Sequence, residues 1–271
     1  RRLCPGVPDM DDLFRTPESA ISRHSKHMHL VPPSGKPLKF DFDGYVLNRV
    51  AHDEFLVELA KESGAEFLIN SRVDKVDGQR VVLRNGDSYS AKIIVDAGGH
   101  NGPIRRDYWN EKSTKIPVKF VLMDGDFGEA VELHFGSMAP GGYAWMFPKE
   151  KGANIGLGIQ RNFAKGRSLN QCTEQFISKY NGEVTFNGAG SLPMSGTIKK
   201  FVKGNYMLVG DSAGMVLPSN GAGITIAMIG GRIAGQVITE NLSSGVPLEE
   251  YELRWKKQMG KVMSNSKRSF K

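Results

Sequence analysis

Two hydrophobic periods alternate along the chain and predict where its strands and helices lie. Between residues 45 and 68, a short apolar strand precedes a helix-length segment, and Gly64 is a typical helix stop. The apolar face of this helix consists of Phe55, Leu56, Leu59 and Ala60.

Between residues 72 and 95, apolar and polar residues alternate around Asp77-Gly78 and Asn85-Gly86, which are typical hairpin turns. This segment is therefore predicted to form a β-meander that ends in a buried strand at 92–95.

The second half of the chain carries further strands and three predicted helices. Residues 118–159 have the pattern of successive strands, and 206–209 that of a short buried strand. Helices are predicted at 168–180, at 221–240 and in the charged tail from Leu248. By contrast, residues 1–37 are rich in Pro, Asp, Ser and His and are predicted to be loop-like.

Strand–helix units at both ends therefore flank a β-rich middle, which predicts an α/β (α+β) fold. We expect a nucleotide-binding domain with an inserted antiparallel β-sheet, the insertion running from Ile104 to Leu192.

Charge and cysteine content narrow the function classes. The net charge of +7 fits an acidic ligand or an anionic membrane surface, but no basic helix or aromatic–basic RNA motif supports nucleic-acid binding. Two cysteines, Cys4 and Cys172, cannot supply a four-cysteine metal or iron–sulfur site, and no metal site is predicted. The best candidate membrane span, 221–238, contains Arg232. A cytoplasmic protein with peripheral membrane contact is expected.

The stretch from Gly210 to Ile224, GDSAGMVLPSNGAGI, carries the strongest chemical signal. Asp211 directly follows the predicted strand at 206–209 and precedes a glycine-rich turn into a helix. Ligands of open α/β sheets bind at the carboxyl ends of strands, and the first N–H groups of a helix favour negative charge. A nucleotide or flavin site and a simple helix cap both fit this stretch.

Four segments together resemble the geranylgeranyl reductase family of flavoproteins, which is related in fold to the aromatic-ring hydroxylases. They are residues 45–65 with Arg49 and Asp53, the stretch IIVDAGGHNG, the motif PGGYAWMFP, and GDSAGMVLPSNGAGI. The third segment is similar to the family motif Pro-x-x-Tyr-x-Trp-x-Phe-Pro. The resemblance extends from Tyr45 to Gln236.

The resemblance implies a bound FAD and the reduction of prenyl double bonds in lipids. It implies FAD contacts for Arg49, Asp211, Gly221, Ala222 and Gly223. The domains would be a Rossmann-like FAD-binding domain in two parts (1–103 and 193–240), a substrate domain (104–192) and a C-terminal helical segment (241–271). The substrate would be a prenylated lipid or prenyl diphosphate, with NADPH or a ferredoxin-type protein as the electron donor.

The chain departs from the family pattern at three places. Ala97 stands where the family has Asp, with Asp96 one position early, and Asn220 stands where Thr is frequent. No Gly-x-Gly-x-x-Gly loop precedes Tyr45, so the N-terminal βαβ unit is expected to be missing from this chain.

Tyr143, Trp145 and Phe147 alternate along one predicted strand and therefore share one face. They form either sheet core or, on the resemblance, one wall of a prenyl channel. No catalytic residue is assigned; Tyr143, Cys4 and water are all candidates for the proton donor.

Two alternatives remain open at this point. One is an FAD-dependent aromatic hydroxylase of the same fold, which would need a smaller and more polar pocket. The other is a non-catalytic, degenerate flavoprotein domain that binds lipid.

Overall fold

The computed structural model describes residues 16–270, which pack as two units. The first combines the residues up to Phe67 with Ile116–Ser191, and the second combines Leu68–Lys115 with the residues from Leu192 onward. By packing, residues 16–67 thus group with the large sheet, although residues 1–103 were assigned to the FAD-binding domain. The predicted domain boundaries describe expected functional domains rather than packing units, so they stay a prediction.

Runs of successive strands are separated by single helices along the described chain, which ends in two helices. The strands are β1 (Ile21–Val31), β2 (Leu38–Leu47), β3 (Val73–Asp77), β4 (Arg80–Leu83), β5 (Ser88–Ser90), β6 (Ile94–Asp96), β7 (Lys115–Asp124), β8 (Val131–His134), β9 (Ala144–Lys149), β10 (Gly152–Gly158), β11 (Glu183–Pro193), β12 (Val202–Lys203) and β13 (Tyr206–Leu208). The helices are α1 (Arg49–Glu62), α2 (Pro103–Tyr108), α3 (Leu169–Ile177), α4 (Ile224–Ser244) and α5 (Glu250–Phe270).

The first unit is built on a seven-stranded sheet in the order β11-β7-β10-β9-β8-β1-β2. The pairs β7–β10, β10–β9, β9–β8 and β1–β2 are antiparallel. The pair β1–β8 is parallel, with Met28 opposite Val131.

The loop-like prediction for residues 1–37 is wrong for residues 21–31, which form strand β1. The sequence HSKHMH has little apolar content of its own, but β1 is paired on both sides, with β2 and with β8. Tertiary pairing therefore outweighs weak local propensity here.

One face of this sheet forms the main core of the first unit, and α3 packs on it. The fully buried residues include Val121, Met146, Ile155 and Leu157 from the strands and Phe176 from α3. The helix predicted at 168–180 is present as α3, which begins with a capping box between Ser168 and Gln171 and ends at Ile177.

The second unit contains two three-stranded sheets and the helices α2, α4 and α5. The strand predicted at 92–95 is β6, which pairs in parallel with β13 in the sheet β12-β13-β6. The separate sheet β3-β4-β5 is the predicted meander without its last strand. Its turns lie at Gly78 and Gly86, both with a positive φ.

Helices α4 and α5 contact each other in this unit. Arg254 of α5 donates to both carboxylate oxygens of Glu240 in α4, at 2.8 and 2.6 Å. The helices predicted in this region are present, but α4 begins at Ile224 rather than at 221, because residues 217–222 form a hydrogen-bonded turn.

The predicted apolar face of α1 is only partly covered. Phe55, Leu56 and Ala60 are half-buried and Leu59 is 42% exposed, whereas the buried residue of the helix is His52. Among residues 16–270, no helix combines the length and apolarity needed to span a membrane.

Candidate functional site

Four aromatic residues at the end of strand β8 and along strand β9 form a continuous row on the face opposite the main core. The row consists of Phe135, Tyr143, Trp145 and Phe147, and successive ring centroids are 6.2, 6.0 and 6.1 Å apart. Along β9, buried and half-buried residues alternate, and Trp145 and Phe147 are among the half-buried ones. The sequence was compatible with either core packing or a channel wall for Tyr143, Trp145 and Phe147. The structure places these rings outside the main core.

Neighbouring strands hold Trp145 in position. Its indole Nε1–H donates to Asn154 Oδ1 at 2.7 Å. Gly156, which lies opposite Trp145 on β10, leaves space for the ring, because a Cβ at this position would lie 2.5 Å from Trp145 Cζ2. A fixed, partly exposed aromatic ring is typical of a binding surface rather than of packing alone.

The same face extends across the sheet on both sides of β9. Gly156 lies opposite Phe120 of β7, and Leu133 of β8 lies opposite Trp145. Phe120 in turn pairs with Phe186 of β11 at a centroid distance of 6.0 Å. We call this surface the aromatic face; it consists of the row of four aromatic residues together with Phe120, Phe186 and Leu133.

In the second unit, Asp211 lies in a short 3₁₀ turn, Gly210–Ala213, directly after β13. The turn is fixed by Ser212, whose hydroxyl contacts the backbone oxygens of Asp96 and Val209. Burial raises the pKa of the Asp211 carboxyl above its usual value, and the charge of His100 partly offsets this effect. Strand β6 and its loop therefore bring His100 near the predicted acidic residue.

Two backbone N–H groups of the glycine-rich turn before α4 donate hydrogen bonds within the turn itself. The Gly221 N–H donates to Leu217 O at 2.8 Å, and the Ala222 N–H donates to Asn220 Oδ1 at 3.0 Å. Gly223 is the N-cap of α4, and no side chain in the described part of the chain caps this helix. A Cβ on Gly223 would lie 3.6 Å from Asp211 Oδ1, so the structure brings these two predicted residues together.

Arg49 is located in the first unit, at the start of α1. Its guanidinium forms an exposed pair with Asp53, with Nη2–H donating to Oδ2 at 3.0 Å. This interaction lowers the pKa of Asp53, against the opposing effect of burial. The predicted Arg–Asp spacing of four residues thus forms an ion pair on one helix turn.

Asp96 has a structural role. Its carboxylate accepts the backbone N–H of Gly98 at 2.8 Å and that of Arg105 at 2.9 Å. It is 4% exposed. The residue that stands one position early in the family motif thus fixes the loop from β6 to α2. Cys4, the other proton-donor candidate besides Tyr143 and water, lies outside the described residues.

Sequence reasoning missed a cavity of about 360 Å³ in the second unit. Asp211 lines this cavity together with a set of mostly basic and polar residues, which include His100, Asn101, Arg105, Lys112 and Lys115. These residues follow β6 in the chain, whereas Asp211 follows β13. The parallel pairing of the two strands was the signal that could have joined them, since such strands end at the same edge of a sheet.

A polar cluster on the first unit was also missed. Glu132 Oε2 lies 2.9 Å from His134 Nε2 and accepts from the Tyr180 hydroxyl at 3.2 Å. The hydrogen bond with His134 lowers the pKa of Glu132 against the opposing effect of burial. Burial, together with the nearby Glu132 carboxylate, raises the pKa of Tyr180. The cluster joins β8 to the segment after α3, and Tyr180 is too far in sequence from Glu132 and His134 for any motif to connect them.

Comparisons with known proteins place this geometry in context. Residues 114–189 match the family model described as the geranylgeranyl reductase catalytic domain. The chain is 31% identical to a digeranylgeranylglycerophospholipid reductase of Methanococcus vannielii, over 97% of this chain and 74% of that protein.

Two solved structures are similar in fold. A geranylgeranyl bacteriochlorophyll reductase-like protein of Thermoplasma acidophilum superposes with a TM-score of 0.84 at 26% identity, over 94% of this chain and 72% of that one. A probable FAD-dependent monooxygenase of Pseudomonas aeruginosa gives a TM-score of 0.69 at 14% identity, over 93% and 78% of the two chains. The predicted α/β (α+β) fold class is thereby confirmed.

Proposed function

Because this chain belongs to the geranylgeranyl reductase family, as its motifs predicted, we propose that it is an FAD-dependent reductase that saturates the double bonds of prenyl chains. The observation that carries the proposal is the aromatic face. Tyr143, Trp145 and Phe147 lie within the matched catalytic region and are held half-buried outside the core. The substrate would be a prenyl group on a membrane lipid.

A flexible isoprenoid has almost no polar groups, so it must be bound by burial of apolar surface. Each Å² of apolar surface removed from water contributes about 25 cal/mol. The aromatic face supplies such surface in a line, and Asn154 and Gly156 keep the central Trp145 ring in a fixed position. We propose that the prenyl chain lies along this row, which would exclude water from the double bond to be reduced.

The second unit fits the polar part of FAD. Asp211 would accept hydrogen bonds from hydroxyl groups of the ribityl chain. The start of α4 at Gly223, which no described side chain caps, would face the negative charge of the cofactor. The N–H groups of Gly221 and Ala222 already donate within the turn, so these two residues would contribute shape rather than hydrogen bonds. Arg49 remains a proposed FAD contact. When bound, FAD supplies the hydride for the reduction.

The cofactor assignment is tested by titrating FAD into the Asp211→Ala variant. The loss of a buried carboxylate–hydroxyl bond should weaken binding about 10- to 150-fold. Asp74→Ala, which changes an exposed aspartate of the same unit, is the matched control. Equal FAD affinity in both variants would remove Asp211 from the site.

The reaction is tested by adding chemically reduced, FAD-loaded protein to a geranylgeranyl lipid without oxygen. We expect the flavin to be reoxidised and the lipid mass to rise by two hydrogens for each saturated bond. Hydroxylation of a small aromatic compound in the presence of oxygen, with no change to any prenyl chain, would instead identify a hydroxylase.

A further inference from the structure

We propose that the exposed side of helix α5 docks on an anionic lipid surface. This surface consists of other residues than those assigned to the prenyl chain and to FAD. The choice of a membrane as its partner rests in part on the proposed function, which acts on a membrane lipid. Binding to lipid vesicles is measured without any reduction step, so the docking surface and the proposed function can fail separately.

The net charge of the chain is concentrated at its C-terminal end. From Leu253 to Lys271, the sequence contains seven Lys or Arg residues and no Asp or Glu. Since the net charge of the whole chain is +7, the remaining residues carry equal numbers of basic and acidic side chains. No basic helix was expected from the sequence, yet α5 is basic over most of its length. A strongly positive segment on an otherwise balanced chain favours an extended anionic partner.

The structure places most of this charge on the exposed side of α5. The exposed basic residues of the helix are Lys256, Lys257, Lys261, Lys267 and Arg268. Lys257, Lys261 and Arg268 follow one another at helical spacing, so they form a line roughly 16 Å long on one side of the helix. None of the five forms an ion pair with another residue of the described range 16–270.

The two carboxylates of α5 itself lie in its first turn and are already engaged. Glu250 pairs with Arg254, whose Nε lies 3.2 Å from Glu250 Oε1. Glu252 Oε1 accepts the backbone N–H groups of Phe201 and Val202 at 2.7 and 2.9 Å. The positive charge of the exposed side is therefore not neutralised by the acidic residues of its own helix, and it can attract an anion from outside.

The opposite side of α5 is committed to the core of the second unit. Its buried residues, all at most 7% exposed, are Tyr251, Trp255, Met259 and Met263. The helix therefore cannot turn its apolar side towards a bilayer, as a free amphipathic helix does. It presents instead a fixed row of cations, which suits contact with the headgroups of anionic lipids.

One apolar residue on the exposed side favours a bilayer over other anionic partners. Leu253 is 62% exposed and precedes Lys257 by four residues and Lys261 by eight, so the three share one side of the helix. An apolar side chain among basic ones can enter the boundary between headgroups and acyl chains. A nucleic acid backbone offers phosphates to the lysines but no apolar layer to the leucine.

Sedimentation of the full chain with lipid vesicles tests the docking surface. We expect binding to phosphatidylcholine vesicles that contain about 30% phosphatidylglycerol, and none to phosphatidylcholine alone. The double variant Lys257→Gln, Lys261→Gln should partition roughly 25-fold more weakly, because each basic side chain near an anionic surface contributes about fivefold. The matched control, Lys75→Gln with Lys92→Gln, removes the same charge from exposed positions of the same unit outside α5 and should bind nearly like the unaltered chain.

Leu253→Gln distinguishes lipid from other anions. It should weaken vesicle binding roughly fivefold, through lost apolar burial, and leave any binding to a short DNA duplex unchanged. Circular dichroism checks that each variant keeps its helices. Equal weakening by the two double variants, equal binding to both kinds of vesicle, or tighter binding to the DNA duplex than to anionic vesicles would overturn the proposal. A chain that binds anionic vesicles through α5 but reduces no prenyl group would overturn only the proposed function.

Discussion

The two faces of the seven-stranded sheet are built from the same strands and yet differ in burial. On one face, Val121, Ile155 and Leu157 are at most 1% exposed and pack with α3. On the aromatic face, the larger side chains Phe120, Trp145 and Phe147 are only half-buried.

Hydrophobicity alone therefore does not distinguish a packing face from a binding face. Burying a large aromatic ring is among the most stabilising contributions available to a fold. A row of rings left half-exposed and held in place by Asn154 and Gly156 instead indicates a surface kept for a ligand. The two faces should thus respond differently to substitution.

The largest effect is expected on the core face. Phe176 of α3 is fully buried, so Phe176→Ala should lower the free energy of unfolding by about 3–5 kcal/mol through lost burial and a cavity. Urea denaturation measures this change. A loss no greater than that of Trp145→Ala would abolish the proposed contrast between the faces.

Trp145→Ala should act mainly on ligand affinity. If the prenyl chain contacts the indole, the lost burial should weaken binding of long prenyl lipids by about 1.5–3 kcal/mol. Short prenyl substrates that do not reach Trp145 should be nearly unaffected. Trp145→Phe keeps a ring but loses the hydrogen bond to Asn154, so its affinity for long prenyl lipids should lie between those of the unaltered chain and Trp145→Ala. Losses of affinity that do not depend on chain length would argue against a channel wall.

Gly156→Ala should disturb the packing of Trp145 and Phe120 on the aromatic face. A Cβ there would lie 2.6 Å from Phe120 Cβ and 2.7 Å from the Lys119 backbone oxygen, as well as against Trp145. We expect the free energy of unfolding to fall by about 1–3 kcal/mol and the tryptophan emission to shift. Gly190→Ala on β11 is the matched control, because its Cβ would meet only Val118 Cγ2, at 3.8 Å. Equal effects of the two variants would show that the space at Gly156 is not required.

The smallest effect is expected for Glu132→Gln, in the polar cluster with His134 and Tyr180. The folded state lowers the pKa of Glu132 from its usual 4.5, so its stabilisation is present above that pH and is lost as the pH falls through the folded pKa. Near neutral pH, the variant should be less stable by about 1 kcal/mol. The difference from the unaltered chain should shrink on acidification.

Urea denaturation at a series of pH values measures this difference, and Glu129→Gln, at an exposed position, is the control. A constant difference between neutral pH and pH values well below 4.5 would contradict the role given to the Glu132 carboxylate.

Local signals in the sequence predicted those elements whose residues carry their own pattern. The turns at Gly78 and Gly86 and the alternation of Tyr143, Trp145 and Phe147 each lie within a few residues of sequence. The family motifs likewise predicted the fold and the class of enzyme.

Non-local arrangements escaped prediction. Strand β1 depends on partners in β2 and in the distant β8, and the cavity joins residues after β6 with Asp211 after β13. Arg105 Nη1 is buried and has no hydrogen-bond partner among residues 16–270, and this has no sequence signature because it depends on packing and not on residue type.

The two units are interleaved along the chain, and this order constrains how the molecule acquires its structure during synthesis. The first unit needs residues on both sides of the inserted stretch Leu68–Lys115, and the second needs residues on both sides of Ile116–Ser191. The parallel pairing of β1 therefore cannot form until β8, about a hundred residues later in the chain, has been synthesised. Such long-range closure carries an entropic cost and slows folding. A ribosome-bound chain stalled before β8 emerges should leave the β1–β2 hairpin without its neighbour, as a natural point for chaperone binding.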